Sequence, residues 1–375
     1  MIKNVLSGLT VTNAQNFIIW TAFSLAIIGS SIFGSILSNK INRLNFLYLW
    51  IILGAATSSL PALLSNFTVI HVLIISILLG ASFGVGMPSC LAYFADCTLF
   101  ENRGRISGII LLVTNLSAPL LAISFEAFNL AVNSIIFALW RAFGLIIFFL
   151  KPKKEFTSEV KRNTSFVSVL NDRSFVLYFV AWLMFCLVDR FEWPILRYFF
   201  GDFSYLIFMI GPIICSFFAF IGGLLSDRIG RKRVVLYGFI TLGIAYAIIG
   251  LAPATSISWY LYLVISSIST GMLWVIFLLI LWGDLSQSST GEKYYAIGGI
   301  PYFLSDITQM ILIPYVTLIP ETSAFSLASF FLFLAVLPLL YAPETMPERK
   351  IELRRLSKYV QEAKKVKKKY VGKDT

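Results

Sequence analysis

The feature that most constrains this chain is its number of long apolar runs. A helix that crosses a bilayer needs about 20 mainly apolar residues. Eleven such runs occur in 375 residues: 16–38, 46–64, 69–95, 106–125, 129–150, 174–200, 203–226, 234–252, 257–282, 296–319 and 323–341. The composition agrees, with 58% hydrophobic and only 13% charged residues, against roughly 25% charged in ordinary soluble domains. A soluble fold of this size cannot hide that much apolar surface. The 34 Phe, 16 Tyr and 8 Trp exclude a solvated, disordered coil. The sequence therefore predicts an all-α polytopic membrane protein.

The net charge of +11 fits a topology better than a nucleic-acid partner. With the loop 39–45 placed in the cytoplasm, 26 of the 30 basic residues fall on that side. Only Lys3, Arg190 and Arg197 fall outside, and Arg141 lies within a span. Positive residues favour cytoplasmic loops, so the C-terminus is expected inside and the N-terminus outside a plasma membrane. Four segments follow: a five-span bundle over 1–150, a basic cytoplasmic linker over 151–173, a six-span bundle over 174–342 and a basic tail over 343–375. The tail has helical periodicity, with Ile351, Leu353, Leu356, Tyr359 and Val360 on one face. It is either a solvated helix or one that rests on anionic membrane lipid.

The chain also contains an internal duplication. Residues 34–45 read GSILSNKINRLN and residues 222–233 read GGLLSDRIGRKR, an offset of 188. Phe94-Ala95-Asp96 and Trp282-Gly283-Asp284 keep the same offset. Repeats in one orientation are a parallel repeat.

The loop from Gly223 to Arg233, with Asp227, Arg228, Gly230 and Arg231 in place, resembles the signature loop G-x-x-x-D-R-x-G-R-[KR]-[KR] of the major facilitator superfamily. The first-half copy keeps Arg43 but carries Asn39 where the second half has Asp227. The resemblance implies two six-helix bundles, here five plus six. It also implies that Asp227 and Asp284 reach Arg228 or Arg231, with Asp96, Arg43 and Lys40 as a weaker first-half version. Such a network would lock one conformation of a rocking cycle. Each exposed pair would contribute only ~0–1 kcal/mol, yet a two-state transporter needs only a small bias. Tyr93-Phe94-Ala95-Asp96, Arg103-Gly104 and Pro343-Glu344-Thr345 are similar to motifs of sugar-porter-like members.

Aligning the halves leaves the span 174–200 without a first-half counterpart, because Met1 pairs with Asp189. A start placed too far downstream, a truncated gene or a working eleven-helix protein would each account for this.

Ionisable residues inside membrane spans are functional candidates by default. Asp189 and Glu192 share a helix face with Arg190 beside them. They could bind a cationic or hydroxylated solute or carry a proton, or form an interfacial cluster with Trp193 as its anchor. Asp306 lies near mid-span and could couple proton uptake to transport, or could be a structural carboxylate. Arg141 could attract an anion or pair with a neighbouring helix. Trp274 could stack on a sugar ring or serve as core.

The expected function is a secondary transporter that moves a small organic solute, a sugar or an organic acid, by alternating access, with protons as a possible coupling ion. The alternative is a non-transporting or truncated membrane protein, a sensor or assembly partner. No P-loop is present, so ATP is not the direct driver. One histidine, His71, rules out a multi-histidine metal site, and no nucleophile–base constellation suggests an enzyme. No cofactor is expected, and the chain is read as a monomer.

Overall fold

The computed structural model describes residues 6, 9, 11–38, 40–63, 67–149, 165–286 and 291–346. Asn39, most of the basic linker and the tail beyond residue 346 lie outside them.

Helices begin where side chains can satisfy the first free backbone N–H groups. Thr12 opens α1 (Asn13–Leu37) with a reciprocal pair of hydrogen bonds to Gln15. Asn42 caps α2 (Arg43–Ser59), which runs on through a 3-10 turn at Leu60–Leu63. Thr68 and His71 form a second reciprocal cap on α3 (Val69–Gly84), so His71 is a capping residue at a helix start. The helix resumes as α4 (Met87–Asp96), with Pro88 in its first turn. Next come α5 (Arg103–Ala127), α6 (Leu130–Ala142) and α7 (Gly144–Phe149). Asn129 caps α6.

After the short α8 (Phe166–Leu170), Asp172 caps α9 (Arg173–Ile229). The expected spans 174–200 and 203–226 are the two limbs of α9, which is broken at Gly201 (φ 34°, ψ −105°). The remaining helices are α10 (Arg231–Leu251), α11 (Ser256–Trp274), α12 (Leu281–Leu285), α13 (Gly291–Leu312), α14 (Glu321–Leu334) and α15 (Val336–Tyr341). A π-helical turn, Val275–Ile280, joins α11 to α12.

Among the described residues, nine helices are long and apolar enough to cross a membrane. Leu130–Ile146 is a shorter apolar helix, and α5 adds 25 residues. The duplication read from the sequence is visible in the element boundaries. Arg43 opens α2 and Arg231 opens α10. Asn13 opens α1 at the position of Gly201, and Arg103 opens α5 at the position of Gly291. The limb Arg173–Tyr198 has no counterpart among the described residues.

The two halves meet chiefly along α5 on α9 and α1 on α13, with α4 also packed on α13. The α5–α9 crossing is close because both helices carry glycine there. A Cβ on Gly223 would lie 2.2 Å from the Gly104 carbonyl oxygen, and one on Gly104 would lie 2.3 Å from that of Gly223. Within the second half, Trp182, Phe185, Phe239, Phe277 and Trp282 stack edge and face around a fully buried aromatic core. Offset and edge-to-face ring contacts of this kind add about 0.5–1.5 kcal/mol each beyond burial.

Candidate functional site: one cavity and the ion-pair network opposite it

Asp189, Arg190, Glu192, Trp274 and Asp306, which the sequence singled out on three different spans, line one cavity of about 890 Å³. Its wall also includes Tyr246, Tyr262 and Tyr302, and its first-half side includes Asn16, Trp20 and Asn115. Leu6, Val11, Asn13, Arg197 and Ile313 place it toward the start of α1 and the end of α13. That volume falls in the range of roughly 300–1,000 Å³ typical of small-molecule sites.

Arg190 organises the charged wall. Its Nε lies 3.1 Å from Asp306 Oδ1 and 3.9 Å from Asp189 Oδ2. Its guanidinium stands 4.7 Å from the centre of the Tyr302 ring, a cation–π arrangement. Tyr302 and Asp306 sit one turn apart on α13, so a single helix face presents both partners to Arg190. Glu192 points elsewhere and accepts a hydrogen bond from the Tyr246 hydroxyl. Tyr246 is held edge-on against Tyr262. Three donors on the cavity wall, Trp274 Nε1, Asn115 Nδ2 and Arg190 Nε, are buried and have no hydrogen-bond partner among the described residues; for Arg190 Nε the nearby carboxylates are ion-pair partners only.

Arg141 is not part of this wall. It reaches across the first half to the Gly54 carbonyl (3.1 Å) and the hydroxyls of Ser58 and Ser82 (both 3.3 Å). It ties α6 to α2 and α3.

The network end is built on Arg231 rather than Arg228, which is exposed. Arg231 pairs with Asp227 (2.9 Å) and Asp284 (3.1 Å) and donates to the backbone oxygens of Ser226 and Phe100. Gly230 (φ 105°) makes the turn before α10. Glu344 accepts the free N–H groups of Arg231 (2.8 Å) and Lys232 (3.2 Å), a carboxylate at a helix N-terminus where the dipole favours it. The first-half copy forms too, with Arg43 2.8 Å from Asp96. Asn39 lies outside the described residues.

The resemblance placed these charges within each half, as exposed pairs. The structure joins the halves instead and buries the pairs. Asp227 accepts the backbone N–H groups of Gly104 (2.9 Å) and Arg105 (2.7 Å) from α5. Arg103 pairs with Asp284. Arg43 Nε lies 2.9 Å from Glu292 Oε1 on α13. The side chains of Arg231 and Asp284 are both 0% exposed. The reason is steric: the Gly104–Gly223 crossing lets the backbones touch and seals the charges beneath them. Sequence reasoning missed Glu292 altogether. It had noted Arg103 and Glu344 within motifs without giving either a role.

No protein-family profile matches the sequence, and no curated protein matches it. Solved structures do. One is a major facilitator superfamily proton:xylose symporter, XylE, bound to 6-bromo-6-deoxy-D-glucose. It aligns with a TM-score of 0.69 over 89% of this chain and 87% of that one, at 14% identity. The human organic anion transporter MFSD10 (TETRAN) aligns with a TM-score of 0.64 over 88% and 86%, at 17% identity. With its parallel repeat, its paired helix contacts between halves and these alignments, the chain has the fold of the major facilitator superfamily.

Proposed function

We propose that this protein is a secondary transporter that moves a small organic solute, a sugar or an organic acid, by alternating access coupled to protons. One observation carries the reading. A solute-sized cavity faces one end of the helices, while ion pairs and a glycine crossing between the halves shut the other end. That is the arrangement of one half-cycle in a protein whose halves rock about a central site. The positive-inside rule favours a cytoplasmic network end, so the cavity opens outward. The unpartnered Trp274 and Asn115 donors favour a solute rich in acceptor oxygens. The two solved structures move solutes of that kind: a sugar in one, an organic anion in the other.

Counterflow in proteoliposomes tests the proposal. The panel is D-xylose, D-glucose, lactate and gluconate. Saturable exchange of at least one is expected, and Ser267→Trp, which fills the cavity, abolishes it. A correctly folded, reconstituted protein that exchanges none of the four overturns the reading.

A further inference from the structure

The charge census of the buried carboxylates singles out one group. Among the described residues, Asp96, Asp227, Asp284, Glu292 and Glu192 are buried. Arg43 serves both Asp96 and Glu292, Arg231 serves Asp227, and Arg103 and Arg231 bracket Asp284. Glu192 is 8% exposed and has no guanidinium or ammonium partner. Among the described residues its hydrogen bond is with the uncharged hydroxyl of Tyr246.

Among the described residues, the surroundings supply no counter-ion. On its own helix, Asp189 and Arg190 precede Glu192, and Arg197 follows toward the mouth of the cavity. From α10 comes Tyr246, from α11 Tyr262, and from α13 Tyr302 and Asp306. Arg190 is already committed to Asp306, Asp189 and the Tyr302 ring. A carboxylate removed from water without a paired cation is costly, and the usual resolution is to bind a proton. Asp306, which the sequence also offered for proton coupling, is a different case. Its side chain is 30% exposed and it already has a guanidinium 3.1 Å away.

We infer that Glu192 is the proton-carrying group of the cavity, with Tyr246 as the residue that positions it. This deepens the transporter reading and rests on it for its role. The step is a simple protonation. A proton arrives from water through the open cavity, binds a Glu192 carboxylate oxygen and converts it to a neutral carboxyl; on release the carboxylate is restored. Tyr246 keeps its own proton and turns the carboxyl toward the cavity. The edge-on contact with Tyr262 and the tilted one with Phe325 hold its ring in place.

The test needs no solute. Infrared difference spectra of the reconstituted full chain, recorded across a pH titration, report the carbonyl stretch of a protonated carboxyl directly. A band that disappears as pH rises is expected in the wild type and in Asp306→Asn. It is expected to be absent from Glu192→Gln at every pH. Tyr246→Phe should retain the band at a higher frequency, because the carboxyl has lost its hydrogen-bond partner. Glu192→Asp keeps a carboxyl and a shifted band, which covers the case in which the amide variant fails to fold. Persistence of the band in Glu192→Gln overturns the inference, as does its loss in Asp306→Asn. Replacement of sodium by choline at constant pH is expected to leave the band unchanged; displacement by sodium would also overturn it. A protein that shows the Glu192 band but exchanges no solute refutes the transport proposal and leaves this assignment standing. Counterflow without the band does the reverse.

Discussion

At the residue scale, the network end turns on which of two neighbouring arginines is buried. The motif Asp227-Arg228-Ile229-Gly230-Arg231 names both, and spacing alone does not choose between them. The structure makes Arg231 the centre of five interactions and leaves Arg228 exposed. Arg231→Gln strands Asp227 and part of Asp284 in a water-poor pocket, and is expected to cost about 3–5 kcal/mol, as breaking a buried pair does. Arg228→Gln should stay within about 0.5 kcal/mol of the wild type. Thermal unfolding of the purified protein in detergent, compared between the two variants, checks this; equal shifts would contradict it. Gly230 offers a second test. Its φ of 105° is open to glycine, and a Cβ there would lie 2.3 Å from Glu344 Oε2. Gly230→Ala is expected to destabilise by about 1–3 kcal/mol. Adding Glu344→Ala removes the clash but not the backbone strain, and it also takes away the acceptor of the Arg231 and Lys232 N–H groups, so the double variant should recover none of the loss.

At the scale of elements, most of the architecture was legible in the sequence, and the reasons are physical. A bilayer forces the backbone to bond within its own segment, so apolar runs translate almost directly into helices. The repeat offset of 188 residues predicted which helix starts correspond, and Arg43 with Arg231 confirms it. Three details were not legible. The α9 break needs a backbone conformation at Gly201 that hydropathy does not encode. The π-helical turn at Val275–Ile280 sits inside a uniformly apolar run. The α5–α9 crossing depends on two glycines far apart in sequence that meet only in three dimensions. That crossing can be tested. A methyl on Gly223 would meet backbone, the Gly104 carbonyl at 2.2 Å, which cannot yield as a flexible side chain would. Gly223→Ala is expected to push the helices apart and cost about 1–3 kcal/mol. Gly299→Ala, with nothing within 4 Å of the new methyl, should be neutral or slightly stabilising. A protein in which both substitutions behave alike would show that the crossing is looser than described.

For the whole molecule, the informative result is that the charges read as two separate clusters, one per half, form one interface. Sequence patterns report which residues belong to a helix end, but not that Arg103 would meet Asp284 or that Arg43 would meet Glu292. Those contacts join residues of opposite halves at the closed network end. Asp284 is the carboxylate shared by Arg103 from the first half and Arg231 from the second. Asp284→Asn removes the shared charge while keeping nearly the same shape. It should therefore weaken the closed arrangement more than it unfolds either half. Nitroxides at Lys40→Cys and Arg228→Cys, exposed at the network ends of opposite halves, read the separation of the halves by pulsed electron resonance in a background without the native cysteines. A population with the longer separation is expected to rise about tenfold in Asp284→Asn, which corresponds to about 1.4 kcal/mol of lost bias. Conversion of Arg141 to Gln should leave the distribution unchanged, because its contacts stay within the first half. An unchanged distribution in Asp284→Asn would mean that the glycine crossing alone holds the end shut. The buried ion pairs would then stabilise each half without biasing the exchange between conformations.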